Sequence, residues 1–180
     1  MKLKTVDLAL CGLFAAILAV CAWITVPFGP IPFTLQTFGV FAVLGILGGK
    51  RGTISILVYL LLGAVGLPVF SGFHGGVGAL FGVTGGFLIG FLLTGAAVWL
   101  AEKWFGDGFW SFTISAIIGL LLCYAFGTAW FMILYTKGGN EITLAGALGM
   151  CVIPFLIPDA IKLAAALLLR GRLKKLVPKG

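Results

Sequence analysis

Pro154-Phe155-Leu156-Ile157-Pro158-Asp159-Ala160-Ile161-Lys162 sets a carboxylate and an ammonium inside an apolar run that begins after Glu141 and ends at Arg170. Each charge would cost about 2.5–3.5 kcal/mol at a bilayer centre, so such residues face a bundle interior or a hydrated cavity and mark function by default. Their spacing of three puts Asp159 and Lys162 on one helix face, close enough to pair or to grip one polar ligand between them. Pro158 suits the first turn of a helix, where its missing N–H leaves nothing unpaired. A helix restarting there would aim its positive end at Asp159 or at an anionic ligand. The structural alternative is an ion pair that locks two helices together.

The surrounding composition says what kind of bundle this is. Hydrophobic residues make up 61% of the 180 positions and charged residues 9%, with a mean hydropathy of +1.21. This is the range of a polytopic membrane protein, and at roughly 20 residues per span the chain has room for about six helices. Expected boundaries are 8–26, 35–48, 53–66, 85–100, 111–135 and 142–169, all within one integral membrane domain over 1–180. Lys2 and Lys4 precede an apolar run as in a signal peptide, but Ala19-Val20-Cys21 matches a cleavage site poorly and the run continues beyond it, so a retained helix is expected. The net charge of +7 does not call for nucleic acid, because the basic residues cluster between helices and at the C-terminus, as membrane topology requires. Lys2, Lys4, Lys50, Arg51, Lys103, Arg170, Arg172, Lys174, Lys175 and Lys179 fall on one side and Lys137 on the other. That asymmetry predicts cytoplasmic termini.

In helix 1, Cys11, Ala15 and Ala19 form a row of small residues with Gly12 and Ala16 beside it. Such a surface either packs within the bundle or receives a partner helix. Pro27-Phe28-Gly29-Pro30-Ile31-Pro32 breaks the chain, and Thr34, Gln36 and Thr37 then offer polar groups that cap helix 2 or line a cavity mouth. Helices 2 and 3 are short for a membrane crossing, so adjacent loops are expected to dip inward. From Phe70 to Phe87 the chain carries seven glycines and almost no charge. This glycine-rich loop, expected outside, reads as a lid or pocket wall, since irregular backbone at membrane depth must be covered by protein or water. Its glycines miss the dinucleotide spacing by one residue. His74 is the sole histidine and, without a neighbouring Cys, Asp or Glu, makes a weak metal site. Trp99, Trp104 and Trp110 suit a headgroup belt. The last helix is long enough that Pro154 and Pro158 are expected to kink or interrupt it.

Cys11, Cys21, Cys123 and Cys151 lie within apolar runs without metal or disulfide spacing. There is no phosphate-binding G-x-x-x-x-G-K-[ST] loop, so the chain does not itself use ATP by that route, and no serine elbow, H-E-x-x-H or paired carboxylate. Only Asp159, Lys162 and His74 remain for chemistry, and capture of a small polar solute is the simpler reading. The alternatives are a small intramembrane enzyme with Asp159 or His74 as base, and an assembly subunit without a ligand.

Pro32-Phe33-Thr34-Leu35-Gln36-Thr37, Gly49-Lys50-Arg51-Gly52, Gly66-Leu67-Pro68-Val69-Phe70, Thr84-Gly85-Gly86-Phe87 and Asp159-Ala160-Ile161-Lys162 together resemble the BioY-type biotin-specific S components of energy-coupling factor transporters. The resemblance spans nearly the whole chain, with Val83 and Phe87 standing where proline and tyrosine are common in the family. It implies an all-α bundle of six transmembrane helices in a bacterial cell membrane that binds biotin from outside. It further implies a transmembrane coupling subunit and two cytoplasmic ATPases as partners, although some members work alone. The substrate-binding set then comprises Asp159, Lys162, Gln36, Thr34, Thr84, Gly85, Gly86, Phe87 and His74, and the small residues of helix 1 dock the coupling subunit. The resemblance thus implies biotin as the ligand, and no cofactor is expected. A different small vitamin is the nearest alternative substrate.

Overall fold

Gly48 determines how the core is assembled. Its backbone takes φ +83°, a left-handed conformation open to glycine, and thereby joins two helices across a single residue. The first of these, α2 (Gln36–Leu47), has every residue from Gly39 to Leu47 buried. A helix apolar on all sides belongs at the centre of a membrane bundle, and α2 is wrapped by α1 (Thr5–Trp23), α3 (Gly49–Ala64), α5 (Gly85–Phe105) and α8 (Ile153–Leu173). With 12 residues it is about 18 Å long, short of the hydrocarbon thickness, a deficit that its protein surroundings make harmless. The computed structural model describes residues 4–27 and 31–177. The sequence readings at Lys2, Phe28, Gly29, Pro30 and Lys179 lie outside the described residues.

Short α4 (Val77–Leu80), long α6 (Phe109–Lys137) and α7 (Leu144–Cys151) complete the helices. Thr25–Val26 (β1) and Phe33–Thr34 (β2) pair antiparallel, Thr25 opposite Thr34. Among the described residues four segments are long and apolar enough to cross a membrane: Thr5–Trp23, Gly85–Phe105, Phe109–Lys137 and Leu144–Leu176. The molecule is thus a helical, multi-pass membrane protein. Apolar residues such as Leu121, Ile133, Ile157 and Leu168 remain exposed on α6 and α8, as lipid-facing surface requires.

Several expected boundaries move, each for a local reason. Helix 3 starts at Gly49 rather than Thr53, because the Gly48 turn lets Lys50 and Arg51 enter the helix. Arg51 then meets Asp7 of α1 at 2.7 Å, both side chains buried. Helix 4 continues past Leu100 to Phe105, where Gly106 at φ +76° stops it. Glu102 and Trp104, beyond the expected helix end, are therefore helical, and the Glu102 carboxylate accepts the Gly49 backbone N–H. That contact caps the N-terminus of α3 with negative charge. Helix 1 ends at Trp23, its expected last residues forming β1 instead. The glycine-rich stretch is partly ordered into a 3-10 turn at Ser71–Phe73 and the single turn of α4.

The long last helix is two helices. Val152, at φ −125° and ψ −57°, separates α7 from α8. The proline in the first turn of α8 is Pro154, and Pro158 sits inside the helix. Asp159 is consequently a full turn and more from the helix start, and the expectation that a helix N-terminus points at it does not hold. The stripe Phe155, Asp159, Lys162, Ala166 and Arg170 is buried along one face of α8. At the far end of that stripe Arg170 bonds Asp107 at 2.7 Å across the α5–α6 turn, Lys174 meets the same carboxylate, and the Arg170 guanidinium lies 4.8 Å from the Phe112 ring centre.

Candidate functional site

A cavity of about 790 Å³ opens at the end of the bundle away from Arg51, Glu102 and Arg170. Its walls are mostly apolar, with Leu88 and Phe91 of α5, Leu120 and Cys123 of α6, Cys151 of α7 and Phe155 of α8 contributing. Volume and lining are those of a small-molecule site, which combines apolar walls with a few placed polar groups.

Those polar groups are built on α8, α6 and α2. Asp159 is 2% exposed and Lys162 6%. Lys162 Nζ donates to Asp159 Oδ1 at 2.7 Å, and the Tyr124 hydroxyl donates to Asp159 Oδ2 at 2.6 Å. Both carboxylate oxygens are thereby satisfied, the condition under which a buried charge is tolerated. Because Asp159 and Lys162 share one helix, their pair does not itself join helices; Tyr124 supplies the link from α6 to α8. Lys162 Nζ also lies 4.3 Å from the centre of the Phe33 ring, a cation–π contact that covers the charge on its other side. The β1–β2 hairpin delivers Phe33, which stacks on Phe155 at 6.0 Å.

On α2 the Gln36 Nε2 donates to the Tyr59 hydroxyl at 2.6 Å, and Thr34 Oγ1 accepts the Gln36 backbone N–H at 3.2 Å. Thr34 thus acts on the first turn of α2 and also lines the cavity. From the glycine-rich side come Thr84, Phe87 and His74. His74 is exposed, with Nδ1 2.9 Å from the Ser71 carbonyl. Gly85 and Gly86 do not line the cavity. A Cβ at Gly85 would come within 1.8 Å of the Leu80 carbonyl oxygen, and one at Gly86 within 2.4 Å of Trp130, so these glycines allow α4 and α6 to close on α5. Phe87 in turn is seated against Gly127.

The small residues of α1 divide into two faces. Cys11, Ala15 and Ala19 are buried against the bundle, whereas Gly12 and Ala16 are exposed, and a Cβ at Gly12 would meet nothing within 4 Å. The first row is therefore used internally and the second left on the outside.

Comparison with known families matches residues 1–179 to the BioY family. The chain belongs to the BioY family. Biotin transporter BioY of Thermotoga maritima is 44% identical over 166 residues, covering 92% of this chain and 94% of the relative. A probable biotin transporter BioY of Pyrococcus horikoshii is 38% identical, covering 96% and 98% of the two chains. A crystal structure of the S-component for biotin from an ECF-type ABC transporter superposes with a TM-score of 0.77 at 26% identity, over 97% of this chain and 92% of that one. The helical membrane fold of this BioY-family chain is therefore that of an S component. Against that family background, sequence reasoning missed Tyr124 and Tyr59, both phenols within apolar helices whose hydroxyls need a partner when buried.

Proposed function

We propose that this chain is the membrane-embedded binding subunit of a vitamin uptake transporter, with biotin as its cargo. The observation that carries the reading is a cavity with apolar walls whose lining includes the buried, hydrogen-bonded Asp159, Lys162 and Tyr124 set. Biotin has the complementary chemistry: an apolar bicycle and tail for Phe33, Phe87, Phe91 and Phe155, and a ureido group needing a buried acceptor and donor. Asp159 accepts a ureido N–H and Lys162 donates to the ureido carbonyl, a charge-assisted arrangement stronger than neutral hydrogen bonds. In the empty site the two residues neutralise one another, so loading exchanges one satisfied state for another. The ligand carboxylate lies nearer the mouth, toward Thr34, His74 and Thr84. The substrate is carried unchanged, so the chain is no enzyme and takes no cofactor.

The rest of the assembly follows from the same reading. Six crossing units are formed by α1, α2, α3, α5, α6 and the α7–α8 pair within one integral domain in lipid. The clustering of Lys50, Arg51, Lys103, Arg170, Arg172, Lys174 and Lys175 at one end supports cytoplasmic termini and places the glycine-rich segment and cavity mouth outside. Energy comes from two cytoplasmic ATPases through a transmembrane coupling subunit. Gly12 and Ala16 form the docking face on α1, since their exposure allows a partner helix to approach closely.

Purification in detergent from biotin-supplemented cells tests the function. Biotin co-eluting unchanged near equimolar ratio is the expected result. A converted ligand would indicate an enzyme, and an apo protein that fails to take up added biotin would leave only an assembly role.

A further inference from the structure

Tyr59 of α3 is 1% exposed and does not line the cavity, yet it joins the cavity to the segment beside it. Its hydroxyl donates to the Val69 carbonyl at 3.1 Å and accepts from Gln36 Nε2 at 2.6 Å. These two bonds have a direction. A phenol has one proton, and with that proton on the Val69 carbonyl only the NH2 end of the Gln36 amide can face the oxygen. The amide carbonyl is then the end left for the cavity.

The Val69 carbonyl is itself held in place. Phe70 packs edge-on against the Tyr59 ring with centroids 5.5 Å apart. Phe70 also covers Gly63, where an added Cβ would lie 1.9 Å from the ring, a contact that leaves room for glycine alone. The Gly76 N–H donates to the Gly63 carbonyl at 2.7 Å, and the Phe70 N–H to the His74 carbonyl at 2.9 Å. Residues 67–76 are thus seated on the end of α3, and Tyr59 reads that seating.

We propose that Tyr59 is a positioning residue for substrate recognition: it holds the Gln36 carbonyl ready for a ligand N–H donor and makes that orientation depend on the docking of residues 67–76. The inference rests on the biotin reading, in which Asp159 takes one ureido N–H and leaves the second for Gln36. A ligand without that second donor gains nothing from an oriented Gln36, so the relay selects for it. A loosened 67–76 segment frees the amide to rotate and weakens the site without touching the ligand.

The test is calorimetric titration of biotin into purified wild type, Tyr59→Phe, Gln36→Leu and the double variant, each well below its ligand-free melting temperature. Tyr59→Phe is expected to weaken binding about tenfold, the scale of a lost buried hydrogen bond, and to add no further loss in the Gln36→Leu background. Against a biotin analogue whose second ureido N–H is replaced by CH2, Tyr59→Phe is expected to cost no affinity, because no donor then faces the Gln36 carbonyl. A merely structural hydroxyl would cost both ligands equally. Unchanged affinity for biotin in Tyr59→Phe, additive losses in the double variant, or an equal loss for biotin and the analogue would each overturn the proposal. A wild-type protein that binds no biotin would instead overturn the ligand assignment, and this inference with it.

Discussion

Asp159→Asn keeps the shape of the side chain and removes its charge, which separates the electrostatic role of the pair from its packing. In the native protein Oδ1 receives Lys162 at 2.7 Å and Oδ2 receives Tyr124 at 2.6 Å. Removing one member of a buried pair destabilises by about 3–5 kcal/mol, because the other charge stays buried. Asparagine still offers one acceptor, and the Phe33 ring still faces the ammonium, which places the expected loss at about 3 kcal/mol. For binding, a charged hydrogen bond of about 1.5–3 kcal/mol becomes a neutral one of about 0.5–1.5 kcal/mol, and biotin affinity falls roughly tenfold. Lys162→Met leaves the carboxylate with Tyr124 alone and is expected to destabilise at least as strongly. The double variant Asp159→Asn with Lys162→Met contains no unpaired buried charge, so its stability should recover above either single variant while binding is lost. Ligand-free thermal melts and calorimetry on the four proteins provide the readouts. Stability losses that simply add in the double variant would refute the pairing argument, and an Asp159→Asn protein binding biotin within about twofold of wild type would remove Asp159 as the ligand's acceptor.

Tyr124→Phe deletes the hydroxyl that connects α6 to Asp159, and a loss of about 1–3 kcal/mol in stability is expected from thermal melts because one buried carboxylate oxygen goes unpaired. Trp23 donates to the Pro68 carbonyl at 2.8 Å and stacks on Phe73 at 5.1 Å, so it clasps the glycine-rich segment to the end of α1. Trp23→Ala should therefore speed biotin dissociation in a stopped-flow chase while leaving association nearly unchanged. Ala15 is 1% exposed and Ala16 is on the outer face. Ala15→Leu is expected to destabilise by about 1–3 kcal/mol through overpacking, whereas Ala16→Trp should retain stability and biotin binding but lose co-purification with the coupling and ATPase module. Equal behaviour of the two variants would end the assignment of separate faces.

Burial of charge explains both what the sequence made legible and what it hid. Asp159 and Lys162 stand out because an apolar run makes any ionisable side chain conspicuous, and their shared helix face follows from spacing alone. Tyr124 is equally polar at its tip, but a tyrosine in Leu120-Leu121-Leu122-Cys123-Tyr124 reads like any core aromatic until its partner is known. The two prolines posed a different ambiguity. Either Pro154 or Pro158 suits a first helical turn, and the break at Val152 puts Pro154 there and carries Asp159 inward along the helix.

Helix 1 had the same kind of ambiguity in rotation rather than in register. Its two small-residue rows are offset by one residue, about 100° around the helix, and either makes a close-packing surface. Their composition does not choose between them. The structure distinguishes them through Asp7, one turn before Cys11, which faces inward and meets Arg51 at 2.7 Å. Once Asp7 faces α3, Cys11, Ala15 and Ala19 follow it to the inside, and Gly12 and Ala16 are left to face outward. The inward row of helix 1 thus lies on the same face as this long-range ion pair, and the Gly12 and Ala16 row lies outside it.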